Sequence, residues 1–425
     1  MYLFFIRHFN DIDHFTPIIW RMWRDDNPVA VYCMNPDYDI GGDYRLQFLK
    51  GLGIKVDVLY EEFTRRLGLL HGVLRFISQA GFAIARKLDA SATQYSWAAK
   101  LQQRFHKIGV RYYKRNRKRY YNSAWARRIL EQTQAQVLCF DWVAPWRFVV
   151  DAFMRSAKEM SIPVLSLPHG VFIYTNDNVK IGSIDQERNF KKFNPYDAIA
   201  VQNELFKKII AKSGIAGDKI FVLGSARYCD EWMAQNKKIL PRQKFQKADT
   251  QSKLKVVFMT TRPNYKIHVD RMLKTFEVLS NLDDIEVTIK PHTRSGDEAK
   301  IYEDLPLSNV SNISSVELCE WADVMLVIGS SILIETLLQG KPVIYLKYLH
   351  ENKTVYEEIG ACWTVQNDNE LKKALVALQT HKNRVPYSQA QVDRFLSDIV
   401  YGGLPKRDVL GDYEQFIVNS TRKVM

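Results

Sequence analysis

Two stretches in the second half of the chain combine residue types that suit a nucleotide. Residues 289–293 read Ile-Lys-Pro-His-Thr, and residues 327–335 read Val-Ile-Gly-Ser-Ser-Ile-Leu-Ile-Glu. The Gly-Ser-Ser loop opens a predicted helix, where free backbone N–H groups and two hydroxyls suit a phosphate. Glu335 lies four residues after the second serine, and a carboxylate on that helix face could bind two ribose hydroxyls. This spacing predicts a phosphate at the helix tip and a ribose one turn further on.

Both loops contribute candidate phosphate contacts. Gly329, Ser330 and Ser331 form the loop at the predicted helix start, while Lys290 and His292 of the other loop could both reach a diphosphate. A solvated loop with a chance Lys-Pro-His is the alternative for the second pair. Each loop follows an apolar run that predicts a buried strand, and open α/β sheets bind ligands at the carboxyl ends of their strands.

A His-Gly pair in the first half follows another predicted strand. His169 could act as a general base on an acceptor hydroxyl, because the ordinary pKa of histidine is near neutrality. Gly170 permits a sharp turn or the close approach of a ligand. The alternative is a histidine that only hydrogen-bonds its own loop.

Three further residues are candidates for the nucleotide side. Arg227 follows a strand and could clamp a phosphate, since its guanidinium fork matches two oxygens. Thr261 and Arg262 follow the first strand of the second half and would border the same site. Helix capping explains the latter pair equally well.

Short apolar runs predict the strands that position these loops. In the first half they are residues 2–6, 29–34, 54–59, 136–140, 163–167, 197–201 and 220–223. In the second half they are residues 254–259, 285–289, 324–328, 343–346 and 362–365. Helical stretches separate most of them, which predicts βαβ units and mainly parallel sheets.

The stretch from about 61 to 131 interrupts this alternation with a helical pattern. It is apolar at 69–85 and then basic, with six Lys or Arg among the nine residues from Arg111 to Arg119 and tyrosines on both sides. A basic helix with aromatic residues fits an anionic membrane surface, an acidic polymer or nucleic acid. The alternative is a solvated surface helix without a binding function. The apolar segment favours the membrane, so no nucleic acid is expected.

The length of the chain limits the possible architectures, and its net charge limits the possible partners. A chain of 425 residues exceeds one compact core, and its net charge of +13 indicates a negatively charged partner. We predict an N-terminal acceptor-side domain (1–236), a linker (237–253), a nucleotide-donor domain (254–384) and C-terminal helices (385–425) that pack back on the first domain. Two doubly wound halves facing across a cleft indicate the α/β architecture named GT-B.

The remaining sequence features concern the location of the protein in the cell. The five cysteines lack CxxC spacing and predict reduced, buried thiols. No signal peptide and no apolar run long enough to span a bilayer is visible. The expectation is a cytoplasmic protein, peripheral at the inner face of the cell membrane.

The motifs, taken in order, resemble the bacterial CDP-glycerol glycerophosphotransferases and related capsule polysaccharide transferases. That family has a His-Gly pair, a Gly-x-Pro-Arg-x-Asp stretch, a Thr-x-Arg strand end, a Lys-Pro-His-Pro loop and a Ser-Ser-x-x-x-Glu helix start. The matching residues lie at 169–170, 224–230, 261–262, 290–293 and 330–335. The resemblance covers about residues 160–350. Ala226 and Thr293 replace the two prolines of the pattern, and the first change comes with one extra residue.

The resemblance implies that His169 activates the acceptor and that His292 contacts the donor phosphate. It implies an enzyme of cell-envelope biosynthesis that transfers a sugar or glycerol phosphate from a nucleotide-activated donor, with the CMP or CDP type favoured, to a polysaccharide or lipid-linked acceptor. No DxD signature ends a donor-side strand, so we expect no metal and no cofactor besides the donor itself. A UDP-sugar 2-epimerase of the same fold is one alternative, although it needs carboxylates and the first domain offers few besides Asp141 and Asp177. A non-catalytic polymer-binding or membrane-binding protein is the other.

Overall fold

The computed structural model describes residues 1–63, 67–92, 96–142, 147–177, 179–182, 194–241, 253–292, 308–310 and 313–421. The predicted strands all lie in these ranges, and each observed end falls within one residue of its predicted position. This agreement has a simple cause. Parallel strands covered on both faces need continuous apolar runs, and such runs can be recognised locally.

The first sheet reverses its chain order in the middle. Its strands among the described residues are β1 (Tyr2–Ile6), β2 (Val29–Cys33), β3 (Lys55–Val58), β4 (Val137–Phe140), β5 (Val164–Ser166), β6 (Ala198–Val201) and β7 (Ile220–Val222). They lie in the order β3-β2-β1-β4-β5-β6-β7, and the pairings from β3 to β6 are parallel. The reversal between β1 and β4 makes their carboxyl ends a topological switch point, where such sheets bind ligands.

The second sheet is parallel throughout and has the same kind of reversal. Its strands are β8 (Leu254–Met259), β9 (Ile285–Lys290), β10 (Ser308–Asn309), β11 (Val324–Val327), β12 (Val343–Leu346) and β13 (Trp363–Val365), in the order β10-β9-β8-β11-β12-β13. The short β10 was not predicted. The switch point lies between β8 and β11, so the loops after these two strands are the expected ligand-binding loops of this sheet.

Helices connect the strands and cover the sheets. They are α1 (Phe9–Arg24), α2 (Tyr44–Gly51), α3 (Leu69–Ala92), α4 (Ser96–Tyr120), α5 (Ser123–Thr133), α6 (Val150–Glu159), α7 (Glu204–Lys212), α8 (Asp230–Ile239), α9 (Val269–Ser280), α10 (Ser315–Trp321), α11 (Ile332–Leu338), α12 (Val355–Ile359), α13 (Asp368–Thr380), α14 (Gln389–Val400) and α15 (Val409–Ser420). Within the described ranges, no helix combines the length and the apolar character needed to cross a membrane.

The chain divides into two compact units. Unit 1 contains the described residues among 1–169, 192–199 and 411–425, and unit 2 contains those among 170–191 and 200–410. Most of α15 therefore belongs to unit 1, where Asn27 Nδ2 donates a hydrogen bond of 2.8 Å to Glu414 Oε1. Residues 237–239 of the predicted linker are helical, and residues 242–252 lie outside the described ranges.

Apolar side chains fill both faces of the two sheets. In unit 1, Phe5 of β1 stacks on Phe140 of β4 with ring centroids 4.4 Å apart, and Phe153 of α6 packs on the same ring. In unit 2, one cluster packs α9 and α13 against the sheet, and a second packs α10, α11 and α14 against the other face. The five cysteines are free and buried, as predicted.

Candidate active site

Three neighbouring strands of the first sheet deliver polar residues to the switch point. Arg7 directly follows β1, Asp141 directly follows β4, and His169 comes three residues after β5. Because β1, β4 and β5 are adjacent in the sheet, their carboxyl ends bring these side chains together. Asp11 joins them from the first turn of α1, the helix that follows β1. We call Arg7, Asp11, Asp141 and His169 the charge cluster; all four belong to unit 1.

The imidazole of His169 is held by two buried carboxylates. Its Nδ1 lies 2.7 Å from Asp11 Oδ1 and 2.9 Å from Asp141 Oδ2. Both carboxylates are fully buried, whereas the His169 side chain is 29% exposed. Two acceptors on Nδ1 fix the ring orientation and leave Nε2 as the nitrogen that a substrate could reach.

Arg7 balances the charge of the two carboxylates. Its Nε donates a 3.0 Å hydrogen bond to Asp141 Oδ1, and its Nη2 forms a second ion-pair contact with Asp141 Oδ2. The same Nε lies 3.7 Å from Asp11 Oδ2. Paired contacts of this kind between guanidinium and carboxylate are strong because both partners are charged.

The start of α1 holds Asp11 in place. The backbone N–H groups of Arg7 and His8 donate to Asp11 Oδ2 at 2.7 Å and 3.3 Å. His8 Nδ1 lies 3.2 Å from Asp11 Oδ1, and the His8 ring packs edge-on against His169 with centroids 4.8 Å apart. A carboxylate in the first turn also complements the helix dipole. Asp11 therefore stabilises the helix and positions His169 at once.

The cluster changes the protonation of His169. Burial disfavours the charged ring, but the hydrogen bonds and charges of Asp11 and Asp141 outweigh it and raise the pKa of His169 to about 9. Burial works against ionisation of Asp11 as well, yet His169 and Arg7 hold the pKa of that carboxyl well below its usual range. Burial and the charge of Asp11 raise the pKa of Asp141. The near-neutral pKa assumed from the sequence is therefore corrected, because the two carboxylates favour the protonated form of His169.

Three of these side chains also lie close enough together to hold a metal ion. Ligand atoms of His8, Asp11 and His169 all lie within 4.8 Å of one another. Yet both rings are at hydrogen-bonding distance from the same oxygen of Asp11, and the neighbouring Arg7 and protonated His169 would repel a cation. The geometry favours a hydrogen-bonded ion cluster, and metal independence stays a prediction.

In unit 2, Lys290 is the last residue of β9 rather than the first of the loop, and His292 follows two residues later. Lys290 does not point to an open site. Its Nζ is buried and donates a 2.6 Å hydrogen bond to the Ile313 carbonyl, and burial lowers its pKa to about 8. The backbone N–H of His292 donates to Thr260 Oγ1 at 3.3 Å, and its residue is half-buried. Thr293 of the same motif lies outside the described residues.

The loop after β11 differs from its prediction in where the helix starts. Helix α11 begins at Ile332 rather than Ser330, and the Ile332 N–H donates to Ser330 Oγ at 3.4 Å. Tyr228 Oη donates to Ser331 Oγ, also at 3.4 Å. Both hydroxyls are therefore engaged within the protein, because the polar groups at the end of a helix need partners.

The space beside Gly329 is filled by a side chain of the protein. Tyr174 Oη donates a 2.9 Å hydrogen bond to the Gly329 carbonyl, and a Cβ at Gly329, whose φ is +148°, would lie 2.8 Å from that hydroxyl. Only glycine tolerates both this backbone conformation and this contact. The space next to the predicted phosphate loop is thus occupied by Tyr174 in this structure.

The other predicted nucleotide-binding residues differ in how far they are exposed to solvent. Glu335 lies in the first turn of α11 but is only 2% exposed, so its carboxylate is not open to a ribose as the sequence suggested. Thr261, two residues after β8, is buried, and Arg262 is half-buried beside it. The guanidinium of Arg227 lies 5.0 Å from the centroid of the Tyr228 ring. Gly170 is exposed, and a Cβ there would meet nothing within 4 Å.

Sequence reasoning did not select Arg7 or Asp11 as site residues. Arg7 directly follows the first strand of the chain, and Asp11 lies in the helix turn after it. The available signal was position, since the first βα turn of a doubly wound sheet lies at its switch point. That signal needs the strand order, which no single stretch of sequence contains.

Comparisons with known proteins support the fold. No family model and no curated protein sequence matches the chain. Among solved structures, the S. aureus MnaA–UDP complex matches with a TM-score of 0.54 and 10% identity, over 98% of this chain and 94% of that one. The UDP-GlcNAc 2-epimerase from Neisseria meningitidis bound to UDP-GlcNAc matches with a TM-score of 0.54 and 12% identity, over 100% of both chains. The wall teichoic acid polymerase TagF after a CDPG soak matches with a TM-score of 0.50 and 12% identity, over 99% of this chain and 89% of that one.

These neighbours and the two parallel sheets define the class of the chain. It has the α/β fold of GT-B enzymes with two Rossmann-like domains, as the sequence predicted. Identities of 10–12% show the fold alone, so the resemblance to the CDP-glycerol transferase family stays a prediction.

Proposed function

We propose that this chain is an enzyme that transfers a sugar or glycerol phosphate from a nucleotide-activated donor to a hydroxyl group of a polysaccharide or lipid-linked acceptor. The observation that carries the proposal is the arrangement of His169, whose Nδ1 is held by two buried carboxylates at the switch point of the first sheet. An imidazole fixed in this way is a base with a defined direction, because a carboxylate on one nitrogen sets the tautomer of the other.

The proposed reaction uses His169 as the general base. Neutral Nε2 takes the proton of the acceptor hydroxyl while that oxygen attacks the anomeric carbon of a sugar donor, or the phosphorus of CDP-glycerol. The bond to the nucleotide phosphate breaks, and the leaving phosphate takes up the electron pair. Since the pKa of His169 is about 9, only a small fraction of the ring is neutral at pH 7, but that fraction is a strong base.

The donor is proposed to bind in unit 2, at the loops after β8, β9 and β11. Two of the structural neighbours are complexes with UDP and UDP-GlcNAc, and a third was soaked with CDPG, which supports a nucleotide ligand for this chain. We assign phosphate contact to His292, Arg262 and Ser330, with Glu335 near the ribose. This assignment requires that the buried carboxylate of Glu335 become accessible when the donor binds.

The most specific part of the proposal concerns the acceptor and the place where the enzyme acts. A lipid-linked acceptor would explain the basic segment from Arg111 to Arg119, because an enzyme with such a substrate works at an anionic bilayer surface. The cytoplasmic face of the membrane is the proposed place of action.

A second candidate function is a UDP-sugar 2-epimerase. The sequence indicated few suitable carboxylates in the first domain besides Asp141 and Asp177, yet Asp11 lies together with Asp141 beside His169. Two carboxylates with separated pKa values and an imidazolium could remove a proton from the sugar and return one. The structural neighbours also include a UDP-GlcNAc 2-epimerase and a second protein assigned to that activity.

One incubation distinguishes the two functions. The protein is mixed with CDP-glycerol or UDP-GlcNAc in deuterium oxide, with and without a bacterial membrane extract as the source of acceptor. Transfer predicts nucleotide release that depends on the extract and is lost in His169→Ala. Epimerisation predicts deuterium at C2 of the sugar without any extract. His381→Ala, at an exposed position after α13, is the matched control and should retain wild-type turnover. Absence of both reactions with both donors would contradict an enzyme of this kind.

A further inference from the structure

The positive charge of the chain is concentrated in one segment. Residues 63–130 contain 16 of the 60 Lys and Arg residues but only one of the 47 acidic residues, Asp89. The segment therefore carries +15, and the rest of the chain, at +13 minus +15, carries −2. Its described part consists of helices α3, α4 and most of α5. The anionic partner indicated by the overall charge must therefore be sought at this segment.

Helices α3 and α4 form an antiparallel hairpin that is closed by small residues. Ser78 Oγ donates a 3.0 Å hydrogen bond to the Gly109 carbonyl, and a Cβ at Gly81 would lie 2.8 Å from the backbone nitrogen of Gly109. The two backbones approach closely along these faces, as helices do where glycines meet. The opposite faces of both helices are left to solvent or to a partner.

The outer side of α3 is apolar rather than polar. Leu69, Val73 and Phe76 are 93%, 52% and 71% exposed, and Leu70 and Ile84 are exposed on the same side. Their spacing of three and four residues places them on one helix face. A surface helix normally turns its polar face to water, and contiguous exposed apolar side chains mark an interaction site.

The outer side of α4 is basic along its whole length. An exposed row of cations repeats every three or four residues at Lys100, Arg104, Lys107, Arg111, Lys114 and Lys118. Helix α4 contains no acidic residue that could neutralise them. A row of unopposed cations favours an extended anionic partner.

Helix geometry places the apolar and basic rows beside each other. At 100° per residue, the half-buried row Leu101, Phe105, Ile108 and Tyr112 lies between the face of α4 that packs on α3 and the basic row. Since the helices are antiparallel, this row continues the exposed apolar row of α3 on the same side of the hairpin. The contact of the Phe82 and His106 rings, with centroids 5.6 Å apart, marks the opposite side.

We propose that the α3–α4 hairpin docks on an anionic phospholipid bilayer. Its apolar side, which includes the exposed Trp97, enters the headgroup region, and the basic row along its edge binds lipid phosphates. Nucleic acid fits less well, because it offers no apolar surface for the α3 row. The proposed lipid contact thus extends over both helices and is not limited to residues 111–119.

This inference rests on the proposed function only in that a lipid-linked acceptor gives the docking a purpose. Bilayer binding and nucleotide turnover are measured separately, so either can fail alone. The docking variants leave the charge cluster and the unit 2 loops unchanged and should bind nucleotide like the wild type.

Vesicle flotation of the full chain tests the docking. Phosphatidylcholine vesicles with and without phosphatidylglycerol are compared for the wild type, for Val73→Ser with Phe76→Ser, and for Lys107→Glu with Arg111→Glu. The two double variants should each lose about tenfold or more in partitioning to the anionic vesicles. Matched changes on α13, at the exposed residues Val376→Ser and Lys372→Glu with Lys373→Glu, should not weaken it. Quenching of tryptophan fluorescence by brominated lipid should fall in Trp97→Phe.

Three outcomes would overturn the proposal. The first is equal partitioning of wild type and both double variants. The second is binding that salt abolishes completely and that Val73→Ser with Phe76→Ser leaves intact, because the apolar row would then not enter the lipid. The third is displacement from vesicles by RNA or DNA at equal phosphate concentration, which would assign the basic row to nucleic acid.

Discussion

His169 is a stronger base than an isolated histidine because two buried carboxylates share its Nδ1 proton. The same arrangement favours the protonated ring at neutral pH, so the proposed catalysis by the neutral form would depend on pH in a defined direction. The single side chain thus links the proposed chemistry to a measurable profile. Its partner Asp11 is a positioning residue, since it contacts His169 rather than an open substrate site.

We expect kcat of the transfer reaction to rise with pH and to level off near pH 9. Below its pKa, the neutral fraction of His169 grows about tenfold per pH unit, and only that fraction accepts a proton. His169→Ala should lower kcat by about 10²–10⁴-fold and leave donor affinity unchanged. Steady-state kinetics from pH 6 upward measure both.

Asp11→Asn supplies the control for this profile. It removes one charge that raises the pKa of His169, so the plateau should begin at lower pH. A rate that is flat up to pH 9 and falls above it would instead indicate that the protonated ring acts as an acid, as in the epimerase alternative.

At the scale of elements, the α3–α4 hairpin depends on glycines at its crossing. A Cβ at Gly81 would lie 2.8 Å from Gly109 N and 3.0 Å from both Gly109 Cα and Phe105 O, all backbone atoms that can yield only if the helices separate. Gly72 lies in the same helix, but a Cβ there meets nothing within 4 Å. Alanine at Gly81 therefore tests the packing of the two helices, whereas alanine at Gly72 tests helix propensity alone.

Gly81→Ala should destabilise the hairpin, and Gly72→Ala should not. Overpacking costs about 1–3 kcal/mol, whereas alanine in an open helical position gains about 0.5–1 kcal/mol over glycine. Amide hydrogen exchange of the α3 and α4 amides measures both changes locally. Equal protection in Gly81→Ala and the wild type would show that the helices do not cross at this glycine.

At the scale of the whole molecule, most strands could be predicted from the sequence, but the residues that the sheets bring together could not. Buried parallel strands consist of apolar runs, so their ends were found within one residue. The convergence of Arg7, Asp11 and Asp141 on His169 depends on the strand order, which follows from packing of the entire sheet. Likewise, burial of Lys290 and Glu335 is decided by residues distant in sequence, such as Ile313 for the lysine.

The central claim, that this GT-B chain uses a nucleotide-activated donor, is tested most directly by calorimetric titration with CDP, CMP and UDP in the presence of EDTA. We expect at least one of them to bind the wild type, and His292→Ala to bind it about tenfold or more weakly, because a hydrogen bond to a charged group contributes about 1.5–3 kcal/mol. His381→Ala should bind like the wild type. Absence of heat with all three nucleotides, or equal affinity of the His292→Ala variant and the wild type, would contradict the account.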